Sequence, residues 1–308
     1  MTENKFAELT VIMVSYNTRE LTLIALETLF EYAGNVSFDV VLWDNASHDG
    51  SADAVAERFP EVRLIRSSEN VGFAAANNAV AKMVKTPWLL LLNPDTETQN
   101  GAIANLLEFA KANPKAGIVG GRTVFPDGSL NIASCWNRMT AWSLLCKATG
   151  LAQVFSGSEV FNGEAIGDWK RDSVRHVDIV VGCLLLISRE LWEELDGFQE
   201  KYFMFGEETD LCLRAAKLGY RPMITPDAQI VHHVGASYGA NEDRIVKVFK
   251  GRVTLIRDHW SPLLREIGVF LLVLGVAVRS LGSRVRRSAR LDGWRAAWRR
   301  RREWLEGY

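Results

Sequence analysis

Short apolar runs alternate with amphipathic stretches through the first 125 residues. Leu9–Ser15 (LTVIMVS) reads as a buried strand, and Asn17 is placed to cap the helix after it, with Glu20 in capping-box register. Leu21, Ile24, Ala25, Thr28 and Leu29 mark one helical face. A second strand is predicted over 38–43, followed by Asp44-Asn45-Ala46-Ser47-His48-Asp49-Gly50-Ser51 and a helix to about residue 58. A third strand covers 62–66, and Asn70-Val71-Gly72-Phe73 opens an Ala-rich helix to about residue 85. Trp88–Leu92 (WLLLL), bounded by Pro87 and Pro94, reads as a fully buried strand. This β-α alternation calls for a parallel sheet with helices on both faces.

The second half is less regular. A helix at about 99–113 leads to a strand at 117–121, and the polar, Gly-rich stretch 127–175 has no assignment. Residues 177–188 read as one apolar strand, 207–218 have helical spacing, and short strands are expected at 221–225 and 228–232. An apolar run, IGVFLLVLGVAV, fills 267–278. Its twelve residues fall short of the roughly 20 that a membrane-spanning helix needs.

Composition adds one asymmetry. Apolar content of 48% and charged content of 24% are ordinary for a globular protein. The formal net charge of −1 divides into +7 after residue 262 and −8 before it. Arg284, Arg286, Arg287, Arg290, Arg295 and Arg299 to Arg302 are interleaved with Trp294 and Trp298. Together with the apolar run, this segment (267–302) suits peripheral contact with an anionic inner-leaflet surface. A helical hairpin packed on the body or on a partner is the plainer reading; nucleic acid is not expected. The four cysteines lack zinc-type spacing, and Met1-Thr2-Glu3-Asn4-Lys5 is no signal sequence, so a reduced, cytoplasmic protein is expected.

Polar clusters stand where chemistry is expected in such a sheet. Ser15-Tyr16-Asn17, Asp44-Asn45-Ala46-Ser47 and Asn93-Pro94-Asp95 follow predicted strands, and Glu207-Glu208-Thr209-Asp210 opens a late helix. Open α/β sheets place ligands at the carboxyl ends of their strands. There is no GxGxxG after the first strand and no glycine in 11–19, which argues against dehydrogenases and sugar-nucleotide pyrophosphorylases.

Six ordered motifs over about 9–240 resemble the family 2 glycosyltransferases of GT-A fold: VSYN, DVVLWDNASHDGS, NVGFAAANN, LLLNPD, GEETDLCLRA and the His232-centred VHHVGAS. The nearest branch in character is the rhamnosyltransferase-like enzymes that build bacterial cell-wall and surface polysaccharides. The resemblance implies a Rossmann-like, mostly parallel sheet in a domain over 1–262. Its nucleotide-binding half is about 1–122 and its acceptor half about 123–262, with a helical tail at 263–308. It implies inverting transfer from a nucleotide-diphosphate sugar, with L-rhamnose from dTDP-rhamnose as the expected donor, onto a lipid-linked or polysaccharide acceptor. UDP- or GDP-sugars, or a non-catalytic nucleotide-sugar-binding role, are the alternatives.

Residue by residue, the resemblance makes Asp95 and His232 the contacts to Mg²⁺ or Mn²⁺, with the phosphates of the donor completing the shell. Ser15, Asn17, Asp44, Asn45, Asn77 and Asn93 line the donor site. Glu208 takes the place of the catalytic base, where the family's usual residue is Asp. The extra methylene moves the carboxylate by ~1.5 Å, and misplacements of ~1 Å can cost ~10²-fold in rate. Two adjacent acids raise one another's pKa, which suits a base near neutrality. Structural readings compete at each position: an Asx turn at Asp95, a satisfied histidine at His232, helix caps at Asp44 and Ser47, a tight turn at Gly72, and dipole-complementing acids at Glu207 and Glu208. His233 alternates to the other strand face. Trp136, Trp169, Tyr202 and Phe205 are candidates for stacking on acceptor sugar or for core.

Overall fold

The computed structural model of the protein describes residues 7–233, 241–285 and 289–308. Residues 1–5, residues 234–237 of the VHHVGAS motif, Arg286, Arg287 and the side chains of Arg284 and Arg290 lie outside the described residues. Strands β1 (Leu9–Ser15), β2 (Phe38–Asp44), β3 (Arg63–Arg66) and β4 (Trp88–Leu92) alternate with helices α1 (Arg19–Tyr32), α2 (Ser51–Arg58) and α3 (Phe73–Met83). There follow β5 (Thr96–Thr98), α4 (Ala102–Ala112), β6 (Ile118–Val124), β7 (Leu130–Asn131) and β8 (Cys135–Trp136). The stretch without a sequence assignment contains β7, β8, α5 (Ala141–Thr149) and α6 (Leu151–Val154). Next come β9 (Arg175–His176), β10 (Ile179–Val180), β11 (Leu184–Ser188), α7 (Arg189–Glu194), α8 (Glu207–Lys217) and β12 (Met223–His232). Helices α9 (Asn241–His259), α10 (Pro262–Val285), α11 (Ala289–Arg299) and α12 (Arg301–Leu305) come last.

The chain forms two compact units. The first holds Met1–Cys135, Lys170–Phe203 and Asp210–Ser237; the second holds Trp136–Trp169, Met204–Thr209 and Tyr238–Tyr308. In the first unit the sheet order is β3-β2-β1-β4-β11-β6-β12-β5. Strands β1 to β4 are parallel, and β11 enters antiparallel between β4 and β6. Strand β12 runs parallel to β6. The carboxyl ends of β1, β2, β4 and β12 therefore share one edge.

Alternation along the strands builds the core. Leu9, Val11, Met13, Val40, Leu42, Leu90 and Leu92 pack with Leu26 and Leu29 of α1 and Leu106 and Leu107 of α4. Burying one such side chain contributes about 1.5–3 kcal/mol. Leu89 and Leu91 point to the other face and are equally inaccessible, which is why β4 has no polar position.

Three expectations are corrected. Residues 177–188 are two strands, because the chain turns at Gly182-Cys183, where the Cys183 carbonyl accepts the Asn93 N–H at 3.2 Å. Strands expected at 221–225 and 228–232 are one strand, β12, with an irregularity between Thr225 and Gln229. Pro226 has no N–H for the ladder, so the break is local. Asn17 does not cap α1: Thr18 holds that position without a side-chain cap bond, and Asn17 lies in the left-handed region at φ 52°. The Arg19 N–H is satisfied from another loop, by Asp49 Oδ2 at 2.9 Å.

The second unit is helical. Its core gathers Leu144 of α5, Phe249, Val253 and Ile256 of α9, Leu272 and Val276 of α10, and Trp304 of α12. The apolar run at 267–278 thus buries one face of α10 against the unit's own helices. No helix among the described residues is long and apolar enough to cross a membrane. All four cysteines are buried thiols, none of them in a disulfide.

Candidate active site

Parallel register sets Ser15 beside Asp44 at the ends of β1 and β2, and side chains then tie the following loops together. Asn17 receives the His48 N–H on Oδ1 at 2.8 Å and donates its own N–H to Ser47 Oγ at 3.0 Å. Ser15 Oγ is engaged by Thr18 and Thr22 at 3.1 and 3.0 Å, and its carbonyl accepts the Asn45 N–H. Asn45 is saturated as well: its Oδ1 accepts from Val71 N–H and Trp43 Nε1, and its Nδ2 donates to Asn70 and the Gly72 carbonyl. Ser15, Asn17 and Asn45 therefore build the frame of this edge.

Asp44 differs. It is 3% exposed; Oδ2 accepts the Ser47 N–H at 3.1 Å, while Oδ1 has no partner among the described residues. Cap and ligand readings each claim one oxygen. Asn77 behaves similarly, with Nδ2 bonded to the Phe73 carbonyl and buried Oδ1 unpaired among the described residues. Gly72 fixes the turn before α3: at φ 86° and ψ 178° only glycine is comfortable, and a Cβ there would overlap the Phe203 carbonyl oxygen.

At the end of β4, Asn93 is held through its backbone, and Pro94 delivers Asp95 into a buried position where its carbonyl accepts the His233 N–H. The Asp95 Oδ1 lies 3.2 Å from His232 Nε2, and His232 Nδ1 is buried and unpaired among the described residues. Burial opposes charge on His232, but the Cys183 thiol and Asp95 overcome it and raise the imidazole to about 10. His233 turns away and meets Glu97 at 2.6 Å. Two ligands on adjacent octahedral positions at about 2.1 Å stand about 3 Å apart, so Asp95 and His232 fit one divalent cation. Among the described residues no third His, Cys, Asp or Glu is placed to join them in holding an ion. Cys183 also meets His232, and in sequence the only sign of this is Gly182, which interrupts an otherwise apolar run.

The acid pair opens α8. Phe205 takes a positive φ of 70° and Gly206 one of 119°, which reverses the chain just before Glu207. Glu207 is 4% exposed with Oε2 unpaired among the described residues. Burial and then the Glu208 charge push Glu207 well above the usual carboxylate range. Burial also raises the half-buried Glu208, opposed by the backbone N–H groups of Glu208 and Gly206. Of the two acids, Glu207 is the more strongly raised. Asp210 is bonded to Arg214 at 2.7 Å, and Arg214 holds the Leu195 and Gly197 carbonyls.

Two residues distant in sequence hold this turn, neither of them suspected from sequence. Tyr308 donates its hydroxyl to the Met204 carbonyl at 2.5 Å; burial and then the Glu207 charge push its phenol up. Gly251 of α9 lies against Phe205, and a Cβ on it would overlap the Phe205 carbonyl oxygen. Gly251→Ala is expected to displace the turn and cut sugar transfer about tenfold or more while leaving donor affinity unchanged, as steady-state kinetics beside donor titration will show. Tyr202, an acceptor-stacking candidate, is fully buried and belongs to the core.

A mostly parallel sheet with a buried carboxylate at the end of β4 is the frame of a GT-A glycosyltransferase. The chain belongs to glycosyl transferase family 2, which it matches over residues 10–165. It is 28% identical over 266 residues to the N-acetylglucosaminyl-diphospho-decaprenol L-rhamnosyltransferase of Mycobacterium tuberculosis, covering 82% of this chain and 86% of that one. Identity to the O-antigen biosynthesis protein RfbC of Myxococcus xanthus is 26% over 239 residues, 75% of this chain and 18% of RfbC. Among solved structures, the mannosyltransferase PcManGT of Pyrobaculum calidifontis, in complex with GDP-Man and Mn²⁺, superposes with a TM-score of 0.57 at 20% identity. That match covers 98% of this chain and 86% of PcManGT and speaks to the fold.

Proposed function

We propose that this glycosyltransferase is an inverting, divalent-metal-dependent enzyme that transfers L-rhamnose from dTDP-rhamnose to a lipid-linked or cell-surface polysaccharide acceptor. The observation that carries the metal-dependent reading is the meeting of Asp95 and His232 at the carboxyl edge of the sheet. The choice of rhamnose rests on the similarity to the mycobacterial rhamnosyltransferase. Asp95 and His232 would hold Mg²⁺ or Mn²⁺, which neutralises charge on the departing diphosphate. The unpaired Asp44 Oδ1 accepts a hydrogen bond from the nucleoside. Glu208 takes the proton of the acceptor hydroxyl as that oxygen attacks the anomeric carbon opposite the leaving group. The nucleoside diphosphate leaves with the electrons of the broken bond.

Thermal stabilisation by UDP-, GDP- and dTDP-sugars, each with and without Mn²⁺, tests the donor. Ligand at a hundredfold excess over Kd stabilises by about 2.7 kcal/mol, a readable shift for a chain of this size. A metal-dependent shift largest with dTDP-rhamnose is expected; a larger shift with a UDP- or GDP-sugar would replace rhamnose, and none at all would overturn the donor reading.

The acceptor reading includes a cytoplasmic enzyme peripheral to the inner face of the membrane. Three of the tail arginines are engaged within the second unit: Arg299 pairs with Glu242, Arg300 with Asp243 and Glu303, and Arg301 stacks on Trp298. The surface available for a bilayer is instead the outer stripe of α10, where Leu263, Ile267, Phe270, Val278 and Leu281 are exposed at helical spacing. The net +7 of the tail complements anionic lipid. Joint replacement of Phe270 and Leu281 by Ser is expected to lower partitioning onto anionic liposomes at least tenfold in a sedimentation assay. Undiminished partitioning would remove α10 from the membrane reading.

A further inference from the structure

We infer that the second unit contains a site for a phosphoryl anion attached to an apolar chain, in the cavity between α5, α9, α10 and α11. The cavity has a volume of about 50 Å³ and brings together Lys147, Arg252 and Arg279 against walls that include Leu271, Leu272 and Trp294. By the same measure one water needs roughly 10–15 Å³, so there is room for a tetrahedral oxyanion.

Two of the three cations face a single carboxylate. Glu164, 6% exposed, lies 2.6 Å from Lys147 Nζ through Oε2 and 3.0 Å from Arg252 Nη2 through Oε1. Among the described residues Arg279 has neutral partners: the Gly275 and Lys147 carbonyls at 3.1 and 2.6 Å, and the Trp294 ring, whose centroid is 5.0 Å away. The group therefore holds two positive charges in excess, in a partly enclosed place where unbalanced charge is costly. The excess is felt by its members. Burial and then the Arg252 charge push Lys147 down to about 8, and the same two causes lower Arg279.

The chemistry of the lining selects the ligand. Guanidinium forks and an ammonium recognise phosphate oxygens, a forked acceptor that a halide does not provide. Apolar walls on the remaining sides favour a phosphate that carries a hydrocarbon substituent over a sugar phosphate. Lys147 and Arg252 are 26% and 29% exposed through their side chains, so a ligand can reach them from solvent. None of these residues takes part in the donor-site chemistry, and the inference does not rest on which sugar is transferred.

Calorimetric titration of the full chain with inorganic phosphate, pyrophosphate and farnesyl monophosphate tests the site. Farnesyl monophosphate is expected to bind at least tenfold more tightly than inorganic phosphate. Lys147→Gln and Arg252→Gln should each weaken it about tenfold or more, in keeping with the loss of a charge-assisted hydrogen bond. Glu164→Gln, which removes the competing carboxylate, should strengthen it, and this opposite sign guards against variants that merely unfold. Equal affinity for inorganic and farnesyl phosphate would overturn the apolar-chain assignment. No binding by any probe, or weakening by Glu164→Gln in a protein with unchanged far-UV circular dichroism, would overturn the site.

Discussion

Asp95→Asn is expected to lower sugar transfer about 10³-fold and to abolish its response to added Mn²⁺ or Mg²⁺. Asparagine is isosteric and leaves an oxygen able to accept from His232, so the substitution removes charge and little else. The effect is large because Asp95 is 5% exposed, where the attraction between its carboxylate and the proposed cation is poorly screened. EDTA should inactivate the wild-type enzyme, and transfer indifferent to EDTA would remove the metal role of Asp95. If His232 holds the cation as proposed, proton and metal compete for its imidazole. With the imidazole raised to about 10 in the metal-free protein, the proton must leave before the nitrogen can bind a cation. The Mn²⁺ concentration for half-activation should therefore fall as pH rises from 6 towards 9. The same shift makes the metal-free fold lose stability as pH rises from about 6.5 through 10, because the folded state holds the proton that the unfolded chain releases.

Glu208→Gln is expected to reduce transfer about 10³-fold, within the 10²–10⁴ that general-base catalysis contributes, with donor affinity retained. Since burial raises Glu208, activity should climb with pH through a value above the ordinary 4.5 of a glutamate. Glu207→Gln should behave differently. Burial and the Glu208 charge raise Glu207 well above 4.5, so Glu207 costs stability as pH rises above 4.5. The amide removes that cost and should raise Tm at neutral pH while leaving part of the transfer rate. Unchanged transfer in Glu208→Gln would reassign the base; equal loss in both variants would mean that the pair acts as a unit.

The alternation of apolar runs and helical faces in 9–98 was sufficient to place β1 to β4 and α1 to α3, since a buried parallel strand has a local signature. So did the polar clusters at strand ends, because the carboxyl edge follows from chain direction alone. What sequence could not show was how each polar atom is spent. Asn17 and Asn45 look like ligands by position, yet loops 25 to 31 residues away consume their hydrogen bonds. The break at Gly182-Cys183 was hidden because a strand interrupted by a turn keeps its apolar composition. Tyr308 meets Met204 across 104 positions, a contact that no local pattern encodes.

The four buried thiols give the chain a set of internal reporters. Cys183 and Cys212 lie in the sheet unit and Cys146 in the helical unit, each 1% exposed or less. A thiol so enclosed reacts with a soluble disulfide reagent only when its surroundings open. Labelling rates at Cys146, compared with those at Cys183 and Cys212, will then tell whether the two units unfold together or in sequence, with no probe introduced.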